Sequence, residues 1–120
     1  MSDSEYSRKY CLRTKKFAVD AVLFFAEHCK RTEELRIIGK QLLRSATSVG
    51  ANFRAFARGR SNAERYSKMC IVVEEADETL FWLEIIEEAN LIQPQLLSNL
   101  KQEAEELVKI FAVSRTNLTH

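Results

Sequence analysis

The 120-residue chain is long enough to bury one hydrophobic core and too short for two domains. Its composition, 46% hydrophobic and 29% charged residues, is typical of a folded globular protein and excludes an intrinsically disordered chain. Because the sequence has only three glycines and one proline, it favours long helices over many short strands.

Charge is distributed unevenly along the chain, although the net charge is only +1. Residues 1–70 contain 15 Lys and Arg against 7 Asp and Glu, a balance of +8. Residues 71–120 contain 3 Lys and Arg against 10 Asp and Glu, a balance of −7. This asymmetry indicates either that one half has a charged partner or that the two halves pair with each other.

The sequence predicts a cytoplasmic protein that does not enter a membrane. The first ten residues, MSDSEYSRKY, lack the apolar segment of a secretory signal. The longest apolar run, residues 21–26, is far shorter than the ~20 residues that span a bilayer. Cys11, Cys29 and Cys70 have no C-x-x-C spacing, which argues against a disulfide framework and against a zinc site.

Helix one is predicted over residues 13–29, after a frayed lead-in at residues 1–11. Its broad apolar face contains Phe17, Ala18, Ala21, Val22, Phe24, Phe25 and Cys29. A basic cluster, Arg13, Lys15 and Lys16, lies at its start, where the helix dipole disfavours cations. The cluster is either a solvated basic end or a site for an anionic partner.

Helix two is predicted over residues 34–58, beginning after Thr32 or Glu33, and it has two distinct sides. One side is a seam with 3-4 spacing that faces a core. Its members are Leu35, Ile38, Leu42, Ser45, Val49, Asn52 and Phe56. About 160° away, at roughly 100° per residue, lies a set of basic residues. These are Arg36, Lys40, Arg44, Arg54 and Arg58, and Arg60 follows just after the helix.

Small and polar residues interrupt the apolar pattern of helix two. Ser45 and Asn52 lie in the seam, where polar groups trade stability for register or for the choice of partner. Gly39, Gly50 and Ala57 share one flank. These small side chains would either let another backbone approach closely or fit a bulky neighbour.

Helix three is predicted over residues 62–89, with Ser61 and Glu64 forming a capping box and Asn90 ending the helix. Its inward seam contains Tyr66, Met69, Val73, Ala76, Leu80 and Leu83. Ile71, Trp82, Ile85 and Ile86 are predicted to point the other way, among Glu75 and Glu78. Because a helix with two apolar faces must bury both or expose a patch, the second face predicts a subunit interface.

Helix four is predicted over residues 94–113, with Pro94 in its first turn and a disordered tail after Ser114. Its seam, again in 3-4 spacing, contains Leu97, Leu100, Ala104, Leu107 and Phe111. Four helices joined by short turns predict an all-α, antiparallel up-down-up-down four-helix bundle forming a single domain over residues 1–120.

No catalytic, metal or cofactor site is predicted. A di-iron bundle needs Glu-x-x-His pairs, but the residues three places before His28 and His120 are Phe25 and Asn117. The acidic residues of helix three lack a matched base, nucleophile or phosphate-binding loop. The sequence therefore predicts a protein without enzymatic activity.

Helices two and three contain two distinctive runs. The first is residues 42–53, LLRSATSVGANF, followed by Arg58-Gly59-Arg60-Ser61, and the second is residues 74–84, EEADETLFWLE. Together these runs resemble the 23S ribosomal RNA intervening-sequence protein family. The resemblance extends over roughly residues 13–112. It matches Arg44 and Asn52 to the helix-two motif, and Glu75, Glu78 and Trp82 to the helix-three motif. Residues 53–59, FRAFARG, depart from the common Ile-Ala-Glu-Gly form by placing arginine where acidic character is usual.

The resemblance implies a four-helix bundle that assembles as a homopentamer and has no established enzymatic activity. A related branch of the family serves as the accessory protein of diversity-generating retroelements. The basic pentameric barrel of that branch is associated with nucleic acid and with the reverse transcriptase.

Two hypotheses for function follow. In the first, an oligomer binds RNA or DNA phosphates through Arg36, Lys40, Arg44, Arg54 and Arg58, extended by Arg60, Arg13, Lys15 and Lys16. In the second, a scaffolding oligomer binds a protein partner, and the same arginines pair with acidic residues of helix three within or between subunits. The predicted oligomer interface in both cases is Ile71, Glu75, Glu78, Trp82, Ile85 and Ile86.

Overall fold

The computed structural model describes residues 1–118 as four helices connected by short turns. They are α1 (Asp3–His28), α2 (Glu33–Ala57), α3 (Asn62–Glu88) and α4 (Pro94–Asn117). The molecule is elongated, with extents of 44 × 20 × 20 Å. Among the described residues there is no strand, and the predicted all-α bundle is confirmed.

The helices contact one another around a square. Each helix packs against the next one along the chain. α1 and α3 lie diagonally opposite, and an ion pair between Asp3 and Arg65 at 3.2 Å connects them at one end. The side between α1 and α4 is the most sparsely packed of the four. Bidentate hydrogen bonds from Arg13 to Glu103, at 2.7 and 2.8 Å, and one from Arg13 to Glu106 at 2.9 Å connect the two helices there.

The first helix begins ten residues earlier than predicted, so the expected frayed lead-in at residues 1–11 is wrong. Ser2 accepts a hydrogen bond from the Glu5 amide, and the Glu5 side chain accepts one from the Ser2 amide. This capping box satisfies two of the free amides at the helix start. Tyr10 is then buried against Phe53 and Phe111, which gives the extra turns a packed face.

Apart from the end of α4, the remaining helix ends lie close to their predicted positions. Thr32 caps α2 by accepting from the Leu35 amide, and Ser61 caps α3 by accepting from the Glu64 amide. Asn90 adopts a left-handed conformation with φ of 56°, and the amide of Leu91 donates to the Ile86 carbonyl. This pattern is a Schellman motif, and it closes the end of α3.

The last helix extends further than predicted. α4 continues through Asn117, so the tail expected to be disordered after Ser114 is helical as far as that residue. Ser114 lies within hydrogen-bonding distance of the Tyr6 hydroxyl, which ties this last turn to α1. Residues 119–120, to which the same expectation applied, lie outside the described residues.

The core contains most of the predicted seam residues. Val22, predicted on the apolar face of helix one, is 46% exposed, because it lies on the outer side of α1 that no neighbouring helix covers. α1 packs closely against the small residues of α2. A Cβ atom built at Gly39 would lie 2.7 Å from the Cys29 Cβ, and one at Gly50 would lie 3.2 Å from the Thr14 carbonyl oxygen. The small residues on this flank of α2 therefore allow α1 of the same chain to approach closely. The basic side of α2 lies opposite the buried seam and faces solvent.

Candidate nucleic-acid interface

The outer side of α2 carries five basic side chains along its length. Each of them is exposed, whereas the opposite side of the helix is buried. From the first to the last they span about 33 Å at ~1.5 Å of rise per residue. We call this set the basic stripe; its members are Arg36, Lys40, Arg44, Arg54 and Arg58.

No member of the basic stripe forms a salt bridge with a carboxylate within residues 1–118. The ion pairs of that region instead involve Arg13, Lys16, Arg65, Lys101 and His28. Arg36 donates a hydrogen bond to the Lys30 carbonyl oxygen at 2.9 Å, which orders its guanidinium without neutralising its charge. The stripe therefore presents uncompensated positive charge on the surface of one copy.

The middle of the basic stripe is a neutral stretch of small residues. Thr47, Ser48 and Ala51 separate Arg44 from Arg54, and the two halves of the stripe are therefore about 15 Å apart at ~1.5 Å per residue. A shallow groove between α1 and α2 runs beside this stretch. Its lining residues are Cys11, Lys15, Ala18, Thr47, Gly50, Ala51 and Arg54.

The three basic residues predicted at the start of helix one have different environments. Lys15 is exposed and lies in the groove with Arg54, so it extends the stripe sideways onto α1. Lys16 pairs with Asp20 at 2.8 Å but keeps three quarters of its side chain exposed. Arg13 is bound to α4, and the Glu103 carboxylate raises the pKa of its guanidinium. Arg13 therefore connects α1 to α4 through ion pairs and is not part of the exposed basic surface.

The polar residues in the seam of α2 are hydrogen-bonded, one to α3 and the other within α2. The buried Thr79 hydroxyl donates to the buried Ser45 hydroxyl at 2.8 Å. About two turns further along α2, Asn52 donates from its Nδ2 to the Ser48 carbonyl oxygen and hydroxyl of the same helix, at 3.0 and 2.9 Å. The two residues predicted to interrupt the helix-two seam therefore make the hydrogen bonds that such positions require.

Glu75 lies beside this polar contact, close to Arg44. Burial raises the pKa of the Glu75 carboxyl above its ordinary value, and the neighbouring charge of Glu78 raises it further. A hydrogen bond from Ser48 and the charge of Arg44 act in the opposite direction. Arg44 is thus near enough to influence Glu75, although the two groups form no salt bridge.

The predicted oligomer interface on α3 is only partly available at the surface. Ile71, Glu75, Glu78, Trp82 and Ile85 are half-buried. Ile86 is fully buried in the core of its own chain, so the prediction that it points outward is wrong. It lies on the flank of α3 that another helix of the same bundle covers, and the periodicity of a single helix does not reveal which flank is covered.

Phe81 is an exposed aromatic residue that the sequence analysis did not select. Half of it is exposed, at 49%, and its ring meets Trp82 edge-on with centroids 5.0 Å apart. The Trp82 indole nitrogen is 3.5 Å from a Glu78 carboxylate oxygen. The signal in the sequence was the position of Phe81 seven residues after Glu74, which places both on the outer side of α3.

The described residues contain no group of three His, Cys, Asp or Glu side chains placed to hold a metal ion. Burial raises the pKa of the Cys29 thiol to about 11, so this group remains protonated at neutral pH and is a poor nucleophile. No helix within residues 1–118 is long and apolar enough to cross a membrane.

Comparison with known proteins places the chain in a family. No curated protein matches it significantly. A solved structure of a protein of unknown function, from the S23 ribosomal protein family of Bacteroides thetaiotaomicron, is 28% identical to it. The two superpose with a TM-score of 0.78, over 98% of this chain and 100% of the other. Residues 9–112 match the family described as 23S rRNA-intervening sequence protein. The chain therefore belongs to the 23S rRNA-intervening sequence protein family.

Proposed function

We propose that this protein is a non-enzymatic, homo-oligomeric bundle that binds the phosphate backbone of RNA or DNA through the basic stripe of α2. The observation that carries the proposal is the absence, within residues 1–118, of any carboxylate paired with the five exposed cations. Unpaired Lys and Arg on one face attract polyanions, and contacts to phosphates do not depend on base sequence.

The spacing of the stripe supports a backbone ligand rather than a small anion. The side chains lie in a row about 33 Å long at ~1.5 Å of rise per residue, and they do not converge on one point. A row of charges is complementary to a polymer of regularly spaced phosphates. In an oligomer each copy repeats the row, which multiplies a weak contact through effective concentration.

The competing function is a scaffold in which α2 binds a carboxylate-bearing protein surface. The observation that favours it is the acidic surface of α3, whose exposed Glu74, Asp77 and Glu88 also lack ion pairs in the described part of the chain. Within one copy the stripe and these carboxylates do not pair. The scaffold function therefore requires pairing between copies or with another protein.

A titration of labelled single-stranded RNA and labelled duplex DNA tests the proposal. We expect binding at micromolar protein in low salt, weakening steeply as salt is added. The double variant Arg54→Glu, Arg58→Glu should lose binding at least tenfold and keep the mass of the wild-type assembly. The matched control is Arg31→Glu, Lys109→Glu, which makes the same charge change at exposed positions outside the stripe.

Two results would contradict the proposal. Failure of the wild-type protein to bind either nucleic acid in low salt would refute phosphate binding. Dissociation of the assembly by the Arg54→Glu, Arg58→Glu variant would show instead that the stripe forms ion pairs between subunits, as the scaffold function requires.

A further inference from the structure

The outer side of α3 combines unpaired negative charge with exposed apolar surface. Between Lys68 and Lys101 the chain contains seven carboxylates and no basic residue. We define the acidic face of α3 as Glu74, Asp77, Glu78, Phe81, Ile85 and Glu88. None of its four carboxylates is paired with a cation in the described residues. Phe81, backed by Trp82, provides the apolar surface.

The outer side of α1 is the opposite in charge and is also apolar. Leu12, Val19, Val22 and Leu23 are 67%, 49%, 46% and 61% exposed, and we call them the apolar row of α1. Leu12 and Val19 are seven residues apart and therefore lie on one line of the helix. Arg8 and Lys15 are exposed on the same side and have no ion pair among the described residues.

We propose that the apolar row of α1 in one copy binds the acidic face of α3 in a second copy. Both surfaces are apolar at their centres, and their charges have opposite signs, as contacting surfaces require. α1 and α3 occupy diagonal corners of the bundle, connected at one end by the Asp3–Arg65 ion pair, and their outer sides face opposite directions. One copy cannot satisfy this contact internally.

The contact joins two different surfaces and is therefore head-to-tail. Each copy offers one apolar row and one acidic face, so every copy can bind two neighbours. A head-to-tail contact repeats until a ring closes or a filament grows. Phe81 is the aromatic anchor of this contact, since buried aromatic side chains carry much of the binding energy of interfaces.

The apolar row of α1 fits the acidic face better than the basic stripe of α2 does. The outer side of α2 offers charge, but Ile37 is the only large apolar residue of α2 that is more than half exposed in the structure. Pairing through α1 leaves the basic stripe accessible to phosphates. The existence of an assembly comes from the proposed function, on which this contact rests. The apolar row of α1 and the acidic face of α3 are the surfaces that form the assembly.

The experiment uses two variants that each destroy one side of the contact. Leu12→Glu, Leu23→Glu replaces apolar residues of the row by acidic ones, and Glu74→Lys, Phe81→Lys makes the acidic face basic. All four positions are exposed, and circular dichroism and thermal melting verify that each variant is folded. Val113→Glu, at a 61% exposed position on α4, is the matched control.

Sedimentation measures the mass of each protein alone and of the two variants mixed. We expect the wild type and Val113→Glu to assemble and each double variant to be a monomer. Because each variant retains the side that the other has lost, an equimolar mixture should form a 1:1 dimer and nothing larger. A head-to-tail contact between these two surfaces requires this result.

Three outcomes would overturn the inference. They are a monomeric wild type at about 100 μM, wild-type mass for either double variant, and a mixture that remains monomeric. Assembly of Glu74→Lys, Phe81→Lys alone would indicate that α1 pairs with α1 instead. RNA titration of the assembled wild type and Val113→Glu reports on the basic stripe separately, so absence of RNA binding by these two proteins, with the predicted masses, would refute only the phosphate-binding function.

Discussion

At the scale of single residues, the close packing of α1 on α2 depends on Gly39. A Cβ atom there would approach the Cys29 Cβ to 2.7 Å and a Phe25 ring carbon to 3.0 Å. We expect Gly39→Ala to destabilise the protein by about 1–2 kcal/mol, because overpacking outweighs the ~1 kcal/mol gained from alanine's helix propensity. Urea unfolding of Gly39→Ala and Gly50→Ala measures this.

Gly50→Ala is the matched control for that experiment. Its nearest contact would be a carbonyl oxygen at 3.2 Å, so less adjustment is needed. We expect a smaller loss than at Gly39, or none. Equal stability of the two variants would show that α1 shifts away from α2 at little cost.

The carboxyl of Glu75 predicts a pH dependence of stability. Because burial and Glu78 raise its pKa in the folded state, the folded protein holds this proton more tightly than the unfolded chain does. The protonated Glu75 carboxyl therefore stabilises the folded state fully at pH values below its pKa in the unfolded chain. This stabilisation is lost as the pH rises through the pKa of Glu75 in the folded protein. We expect Glu75→Gln to unfold at a higher temperature than the wild type at pH 7.

The advantage of Glu75→Gln should disappear at pH 4 and below, where the wild-type carboxyl is protonated as well. Thermal melting at both pH values, at equal protein concentration, measures the difference. Glu74→Gln is the control, since Glu74 is the exposed neighbour one residue earlier. An equal gain from both substitutions at pH 7 would indicate relief of general charge repulsion instead of burial.

At the scale of elements, the start of α3 depends on a single capping side chain. The Ser61 hydroxyl accepts from the Glu64 amide at 3.1 Å. We expect Ser61→Ala to cost about 0.5–2 kcal/mol of unfolding free energy and Ser61→Asp to retain most of the stability. Chemical denaturation measures both, with Ser67→Ala, exposed within the same helix, as the control. Equal losses from Ser61→Ala and Ser67→Ala would contradict the capping role.

Capping signals explain why the start of α3 is predictable from the sequence and the start of α1 is not. The motif Ser-x-x-Glu at Ser61 precedes a strong apolar pattern and predicts the start of α3, whereas the same motif at Ser2 lies in a polar segment. Local signals of this kind, together with apolar periodicity, are sufficient to predict the four helices and most of the core. The residues that make up a capping motif or an apolar repeat are close in the sequence, so both kinds of signal can be recognised without a structure.

What the sequence did not reveal depends on contacts between distant segments. The Arg13 guanidinium is bound by Glu103, 90 residues away, and no local pattern distinguishes it from the free Lys15. Ile86 lies at the edge of its helix's apolar arc and is buried because a neighbouring helix covers that edge. The candidate site was therefore predicted as a set of basic residues, and the structure was needed to separate paired from unpaired members.

At the scale of the whole molecule, the basic stripe sets an upper limit on salt dependence. Each phosphate neutralised on duplex DNA contributes about −0.9 to the slope of log K against log salt. Five cations in one copy therefore predict a slope no steeper than about −4.5 per bound copy. Filter-binding titrations from low to moderate salt measure it. A steeper slope per copy would show that Lys15, Arg60 or other basic groups also contact phosphate.

The hydrogen bond between Tyr6 and Ser114 brings the two ends of the described chain to the same end of the bundle. A short linker there could therefore join the termini, and new termini could be opened in an exposed turn such as the one around Arg60. The arrangement of the helices in space would then be retained while their order in the gene changed. A circularly permuted chain would therefore synthesise the helices in a different order and still form the same bundle.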